Sequence, residues 1–320
     1  MEYRLLGRSG LKVSTLSFGT ATFGGVGALS KWGATDVAEA ARLLDLCLDA
    51  GVNLVDTANA YSGGRSEEIL GEALEGRRER LLVATKVRFR MGDGPNDKGL
   101  SRSHIMNAVE ASLRRLKTDY IDLYQIHWPE RTANFFGQLG YIHNKNETPT
   151  ALSETLDILT GFVKQGKIRY IGLSNETPWG VMDAIRSSEK YSQPKIVSIQ
   201  NPYSLLNRSY EIGLAEISIR ENCGLLAYSP LAFGMLTGKY LNGAKPPEGR
   251  ITKFGRFQRY NNVRSHQATA EYCAIAKKYS LSPAQMSLAY INSRPFVTSN
   301  IIGATNLNQL EENINPIDIK

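Results

Sequence analysis

An acid, a phenol, a lysine and a histidine close three apolar stretches of this 320-residue chain. Asn53-Leu54-Val55 runs into Asp56 and, one short loop later, Tyr61; Leu81 to Thr85 runs into Lys86; Ile121 to Ile126 runs into His127. Together these groups could hand a proton to an oxygen. A phenol of ordinary pKa near ~10 keeps its proton at neutral pH and yields it reluctantly to a forming alkoxide. A cation about 4 Å away, at an effective dielectric of about 20, favours phenolate by about 4 kcal/mol, roughly three pKa units before offsets. Lys86 is the candidate cation, Asp56 would hold it charged and in place, and His127 would hydrogen-bond and orient a carbonyl oxygen. The expectation is a lowered Tyr61 pKa and a site suited to carbonyl reduction. A metal is not expected. The chain has four histidines, no His-x-His or His-x-x-x-His, and no clear third ligand beside Asp56 and His127.

Side chains so far apart in sequence must be gathered by the fold. Apolar strand signals at Thr15–Gly19, Asn53–Asp56, Leu81–Thr85, Ile121–His127, Tyr170–Ser174, Ile196–Gln200, Leu225–Ser229 and Asn300–Gly303 alternate with helical patterns at Asp36–Ala50, Ser103–Leu116, Leu152–Gln165, Thr177–Ser188 and Glu211–Glu221. Eight strands joined by crossover helices predict an α/β fold, a (β/α)8 TIM barrel, as a single domain over residues 1–320. Strand exits then share one rim, the face on which barrel enzymes carry their chemistry. Tyr3–Leu6 and Leu11–Val13, flanking Gly-Arg-Ser-Gly, predict a hairpin that plugs the other end. Three segments, Thr22–Thr35, Trp128–Pro149 and Gly243–Ser265, fit neither period and are expected as long rim loops that enclose substrate and cofactor.

Composition narrows the class. The N-terminus has no basic region leading into an apolar run, and no window supplies the roughly 18 apolar residues of a membrane span, so a cytoplasmic protein with no membrane partner is expected. Cys47, Cys223 and Cys273 are unpaired by spacing and read as reduced thiols. The net charge of +7 is mostly scattered over helix faces. Arg250, Lys253, Arg256, Arg259 and Arg264, interleaved with Phe254, Phe257 and Tyr260, could suggest nucleic-acid contact, but no nucleic-acid module accompanies them and no such partner is expected.

No Gly-x-Gly-x-x-Gly follows a strand, which argues against the usual dinucleotide fold. Gly234-Met235-Leu236-Thr237-Gly238-Lys239-Tyr240 is one residue short of a phosphate loop between its glycines and ends in Tyr where a hydroxyl for magnesium is needed. Ser229 to Lys239 nonetheless offers backbone donors and a lysine to a pyrophosphate, and Gly303-Ala304-Thr305 with Asn306–Asn313 offers a strand-to-helix turn to a second phosphate or adenosine.

These residues, in this order, resemble the aldo-keto reductase superfamily over nearly the whole chain. The phrases that carry it are Asp56-Thr57-Ala58-Asn59-Ala60-Tyr61 with Ser66-Glu67, Thr85-Lys86, Asp119 to Leu123 through His127, Gly172-Leu173-Ser174-Asn175, Gln200-Asn201-Pro202-Tyr203, Tyr228-Ser229-Pro230-Leu231 and Ile302-Gly303-Ala304. The resemblance implies a catalytic tetrad of Asp56, Tyr61, Lys86 and His127, with Tyr61 as general acid, and reduction of an aldehyde or ketone by NADPH. Ser174, Asn175 and Gln200 would hold the nicotinamide amide, with Gly19, Thr20 and Asp56 among the cofactor contacts. Tyr228 would stack on the ring, and Ser229, Pro230, Leu231, Gly234 and Lys239 would wrap the pyrophosphate. Gly303, Thr305, Gln309, Glu312 and Asn313 would take the adenosine end. Arg250, after Pro246-Pro247, resembles the phosphate-contacting arginine of bacterial NADPH-dependent reductases and potassium-channel beta subunits. It is expected at the 2′-phosphate, with Arg256 as substitute. That branch implies a rival role, a nicotinamide-binding regulatory subunit with little turnover. The halves before His127 and after Trp128 resemble different sub-branches, as in a recombined gene. Relatives of this branch also imply a further helix and tail beyond the segment ending at Lys320.

Overall fold

The computed structural model describes residues 1–27, 32–136, 138–255 and 258–315. Eight parallel strands close a barrel: β3 (Leu16–Gly19), β4 (Leu54–Asp56), β5 (Leu82–Val87), β6 (Ile121–Ile126), β7 (Ile168–Ser174), β8 (Ser198–Pro202), β9 (Gly224–Tyr228) and β10 (Val297–Ile302), with β10 pairing both β9 and β3. Each strand expected from the sequence is present within one to three residues. The expected TIM barrel is the fold of the chain. Before it, β1 (Tyr3–Leu5) and β2 (Lys12–Ser14) form an antiparallel hairpin. Leu6 and Val13 bury against Leu54, Leu123, Val197 and Leu226 inside the barrel, which makes the hairpin a hydrophobic plug. Gly7 is required there, because its φ is +53° and a Cβ would lie 2.4 Å from the Val197 carbonyl oxygen.

The helices are α1 (Val37–Asp49), α2 (Arg65–Ala73), α3 (Arg102–Leu116), α4 (Leu152–Lys164), α5 (Pro178–Tyr191), α6 (Leu214–Arg220), α7 (Arg250–Lys253), α8 (Val263–Lys278), α9 (Pro283–Asn292) and α10 (Leu307–Ile314), with the short α7 in the loop after β9. Asp36 caps α1 through the Glu39 amide, and Thr177 caps α5 with Pro178 in its first turn. Three expectations change. Glu211–Glu221 is not one helix: a short turn at Ser209–Ile212 is broken from α6 by Gly213. Gly243–Ser265 is not wholly loop, since it contains α7 and the first turn of α8. Helices α8 and α9 have no counterpart among the helices expected from the sequence: α8 buries only Ser265, Thr269 and Ala276, whereas α9 begins in a capping box between Ser282 and Gln285 and packs Leu288 and Ile291 into the core. The described residues of Trp128–Pro149 do lack helix and strand, and the segment is pinned by Glu147 to Thr132 and by Arg131 to Glu176.

Candidate active site

Strand parity builds the centre of the site. Residues two apart on a strand face the same side, so Asp56 on β4, Lys86 on β5, Gln125 on β6, Ser174 on β7 and Gln200 on β8 converge inside the barrel at the rim, and all are buried. Lys86, with no exposed side-chain surface, donates from Nζ to Asp56 Oδ2 at 2.6 Å and to the Thr57 carbonyl at 2.7 Å. Tyr61 opens the turn after β4, which Ser62, Gly63 and Gly64 bend through left-handed φ values. Its ring centroid is 5.2 Å from Lys86 Nζ and 6.0 Å from the His127 ring. The four residues expected as a tetrad therefore share one cluster.

The electrostatics differ from expectation at Tyr61. Burial and the Asp56 carboxylate push its phenol well above the usual range, and the Arg250 guanidinium opposes them. Lys86 does not lower the phenol as expected because its ammonium is tied to Asp56 and a carbonyl, and burial depresses its own pKa. Burial, Lys86 and Arg88 hold His127 well below the normal imidazole pKa, so the ring is neutral. His127 Nδ1 is buried and has no hydrogen-bond partner in the protein. Phe89 and Trp128 flank that ring, with centroids 5.1 and 5.2 Å away.

The expected cofactor contacts divide into clusters. Ser174 Oγ donates to the Gln200 carbonyl, Asn175 Nδ2 donates to the His127 carbonyl, and Tyr228 donates its phenol proton to Asn175 Oδ1 at 2.6 Å. Gln200 Nε2 donates to Asp56 Oδ1 at 2.8 Å. Thr20 does not open onto this space: it is buried and bonded to the Asp56 carbonyl and to Ser66. Gly19 lies against Ile301, whose Cγ2 would sit 3.0 Å from a Cβ. After β9, Ser229, Ala232 and Phe233 take left-handed φ values that non-glycine residues rarely adopt, in the loop that carries Pro230 and Leu231. At Gly234, φ +88°, a Cβ would meet Lys239 Cε at 2.8 Å and Nζ at 3.0 Å. The bare backbone at 234 thus lets the lysine cross the loop. Gln309 Oε1 accepts from the Thr305 amide and hydroxyl, Asn306 caps α10, and Asn313 Nδ2 donates to the Gly303 carbonyl, with Glu312 exposed beside them.

The Arg250 guanidinium stacks 4.3 Å over the Trp32 ring, and its charge acts on Tyr61 and Lys239, at the mouth above the cluster. Arg256 and Phe257 lie outside the described residues. Tyr260 is buried and Phe254 packs edge-on against Trp32. Sequence reasoning passed over Gln125 and Asn59. Gln125 donates to Asp56 Oδ1 at 3.1 Å, and Asn59 is fully buried with neither amide atom partnered. Gln125 could have been found from its spacing, two residues before His127.

Orphaned buried polar atoms at His127 and Asn59, and the lysine cradle at Gly234, fit a dinucleotide laid from the cluster across the β9 exit. The comparisons agree with the class. Residues 15–320 match the Aldo/keto reductase family, and the chain belongs to it. Protein tas of Escherichia coli (strain K12) is 46% identical over 338 aligned residues, which take in the whole chain and 94% of that protein. One relative thus spans both sides of the His127–Trp128 junction. A probable voltage-gated potassium channel subunit beta of Arabidopsis thaliana is 34% identical, and the uncharacterized oxidoreductase YrpG of Bacillus subtilis (strain 168) is 35% identical. Each aligns with the whole chain and 92% of its own length. The family binds nicotinamide cofactors and acts on small carbonyl compounds, so the chain has the makings of an oxidoreductase. No helix among the described residues is long and apolar enough to cross a membrane.

Proposed function

We propose that this chain, as one barrel domain, reduces an aldehyde or ketone to an alcohol with NADPH, and that it does so in the cytoplasm. The observation that carries the reading is the buried Lys86–Asp56 pair placed beside Tyr61 and a neutral His127. Bound nicotinamide would supply the hydride. Neutral His127 carries one N–H to offer the carbonyl oxygen, which polarises the carbonyl and fixes its direction. Tyr61 keeps its proton until negative charge develops on that oxygen, then donates it, because an alkoxide is a stronger base than a phenolate. Lys86 acts at that moment. Its ammonium, 5.2 Å from the Tyr61 ring centroid, faces the ring that would then carry the charge, and Asp56 offsets its attraction.

Ser174, Asn175, Gln200 and Tyr228 are assigned to the nicotinamide end, the Ser229–Lys239 loop to the pyrophosphate, and Gly303, Thr305, Gln309, Glu312 and Asn313 to adenosine. Lys239 and Arg250 are the cations assigned to the cofactor phosphates. The test is NADPH oxidation with a panel of aldehydes, ketones and sugars; wild-type protein that oxidises NADPH with none of them contradicts the reading. The potassium-channel relatives favour a second role, a regulatory subunit that binds the cofactor and turns over little. Tight NADPH binding without turnover would support it.

A further inference from the structure

Gln125 is a fully buried amide at the barrel centre to which the proton-transfer steps assign no part. It pairs in register with Lys86 on one side and Gly172 on the other. Its Nε2 donates to Asp56 Oδ1 at 3.1 Å, and its Oε1 accepts from Gln200 Nε2 at 3.2 Å. Gln200 Nε2 also donates to Asp56 Oδ1, at 2.8 Å, so the three side chains close a triangle whose remaining carboxylate oxygen takes Lys86. Both oxygens of Asp56 thus accept, so the carboxylate is held from both edges. Space for the triangle comes from the neighbouring strand: a Cβ at Gly172 would lie 3.2 Å from Gln125 Cγ and 2.6 Å from Ser198 Oγ.

We propose that Gln125 is a positioning residue, whose amide fixes the Asp56 carboxylate against Lys86 and sets the orientation of the Gln200 amide. The proposal rests on the reductase reading above. A primary amide can donate to a carboxylate and accept from a second amide through one side chain. Methionine fills the same space and leaves Asp56 and Gln200 each one bond short. Glutamate reproduces the pattern only while protonated, and its ionised form faces Asp56 with like charge.

The test compares wild type, Gln125→Met and Gln125→Glu in NADPH-dependent reduction from about pH 5 to about pH 9. Loss of a hydrogen bond to a charged group predicts a kcat about ten- to hundredfold lower for Gln125→Met at every pH, with the carbonyl KM within about threefold of wild type. Gln125→Glu should approach wild-type kcat at the acid end and lose it as pH rises through a carboxyl pKa raised by Asp56. A residue that only fills space would give Gln125→Met a wild-type kcat and Gln125→Glu no new alkaline limb, and that result overturns the proposal. If Gln125→Met does not fold, Gly172→Ala crowds Gln125 without replacing it; an unchanged kcat there also overturns the proposal. If wild type binds NADPH but reduces nothing, the reductase reading fails separately. Gln125→Met must then weaken NADPH binding severalfold through the released Gln200, and unchanged affinity contradicts the proposal.

Discussion

Lys86 Nζ sits 2.6 Å from Asp56 Oδ2 at the centre of the barrel, with the lysine side chain wholly buried. Removing one partner of such a pair leaves an uncompensated buried charge, which costs about 3–5 kcal/mol. Asp56→Asn should lower stability by about that amount in denaturant unfolding. Asp56→Asn combined with Lys86→Met should recover part of the loss, because no charge is then stranded. A double variant as unstable as the sum of its single variants would show that the pair is not coupled.

His127 is neutral in the folded protein and ordinary in the unfolded chain, and His104 is shifted the same way by burial. Below the unfolded value near 6.5 the unfolded chain binds protons that the folded chain refuses, so stability must fall as pH drops through and below that value. At higher pH both states are neutral and the term vanishes. His127→Asn should flatten part of this acid limb in melting curves taken from about pH 7 to about pH 5, with His104 keeping the rest. An acid limb identical to wild type would mean that His127 is not held neutral.

The Gly234 backbone takes φ +88° with Lys239 lying across it. Alanine there meets a left-handed backbone penalty of roughly 1–2 kcal/mol and displaces the lysine. Gly234→Ala should weaken NADPH binding, measured by fluorescence titration, more than Lys239→Ala does, because it disturbs both loop and cation. Equal or smaller loss would detach the loop from the cofactor.

Arg250 at the mouth, with Tyr61 and Lys239 in its field, suits the part of a dinucleotide common to NADPH and NADH. A charge-assisted contact is worth about 1.5–3 kcal/mol, so Arg250→Ala should weaken both cofactors about ten- to hundredfold. Loss confined to NADPH would move Arg250 to the 2′-phosphate instead, and no loss for either would remove it from cofactor binding.

The barrel was legible in the sequence because each strand is short, apolar and followed by turn chemistry. The cluster was legible because Asp56, Lys86 and His127 stand at strand exits, where topology alone brings them together. What sequence left hidden depends on packing. Thr20 carries a hydroxyl of the right type, yet it is used up by Ser66 and a carbonyl. The Tyr61 shift depends on how much water reaches the phenol and on where Lys86 points, and neither has a sequence signature. Helix α8 has too few buried apolar residues for periodicity to show. Arg250 follows its prolines as expected, but the direction of a long side chain is set by Trp32, far away in the chain.

The central claim is that Tyr61 gives the proton in a carbonyl reduction driven by NADPH. Its most direct test is the loss of NADPH near-ultraviolet absorbance with wild type and Tyr61→Phe across the carbonyl panel, with cofactor affinity measured on the same samples. General acid catalysis predicts kcat lower by about a hundredfold or more in Tyr61→Phe, while NADPH affinity stays close to wild type. Equal turnover by the two proteins would contradict it.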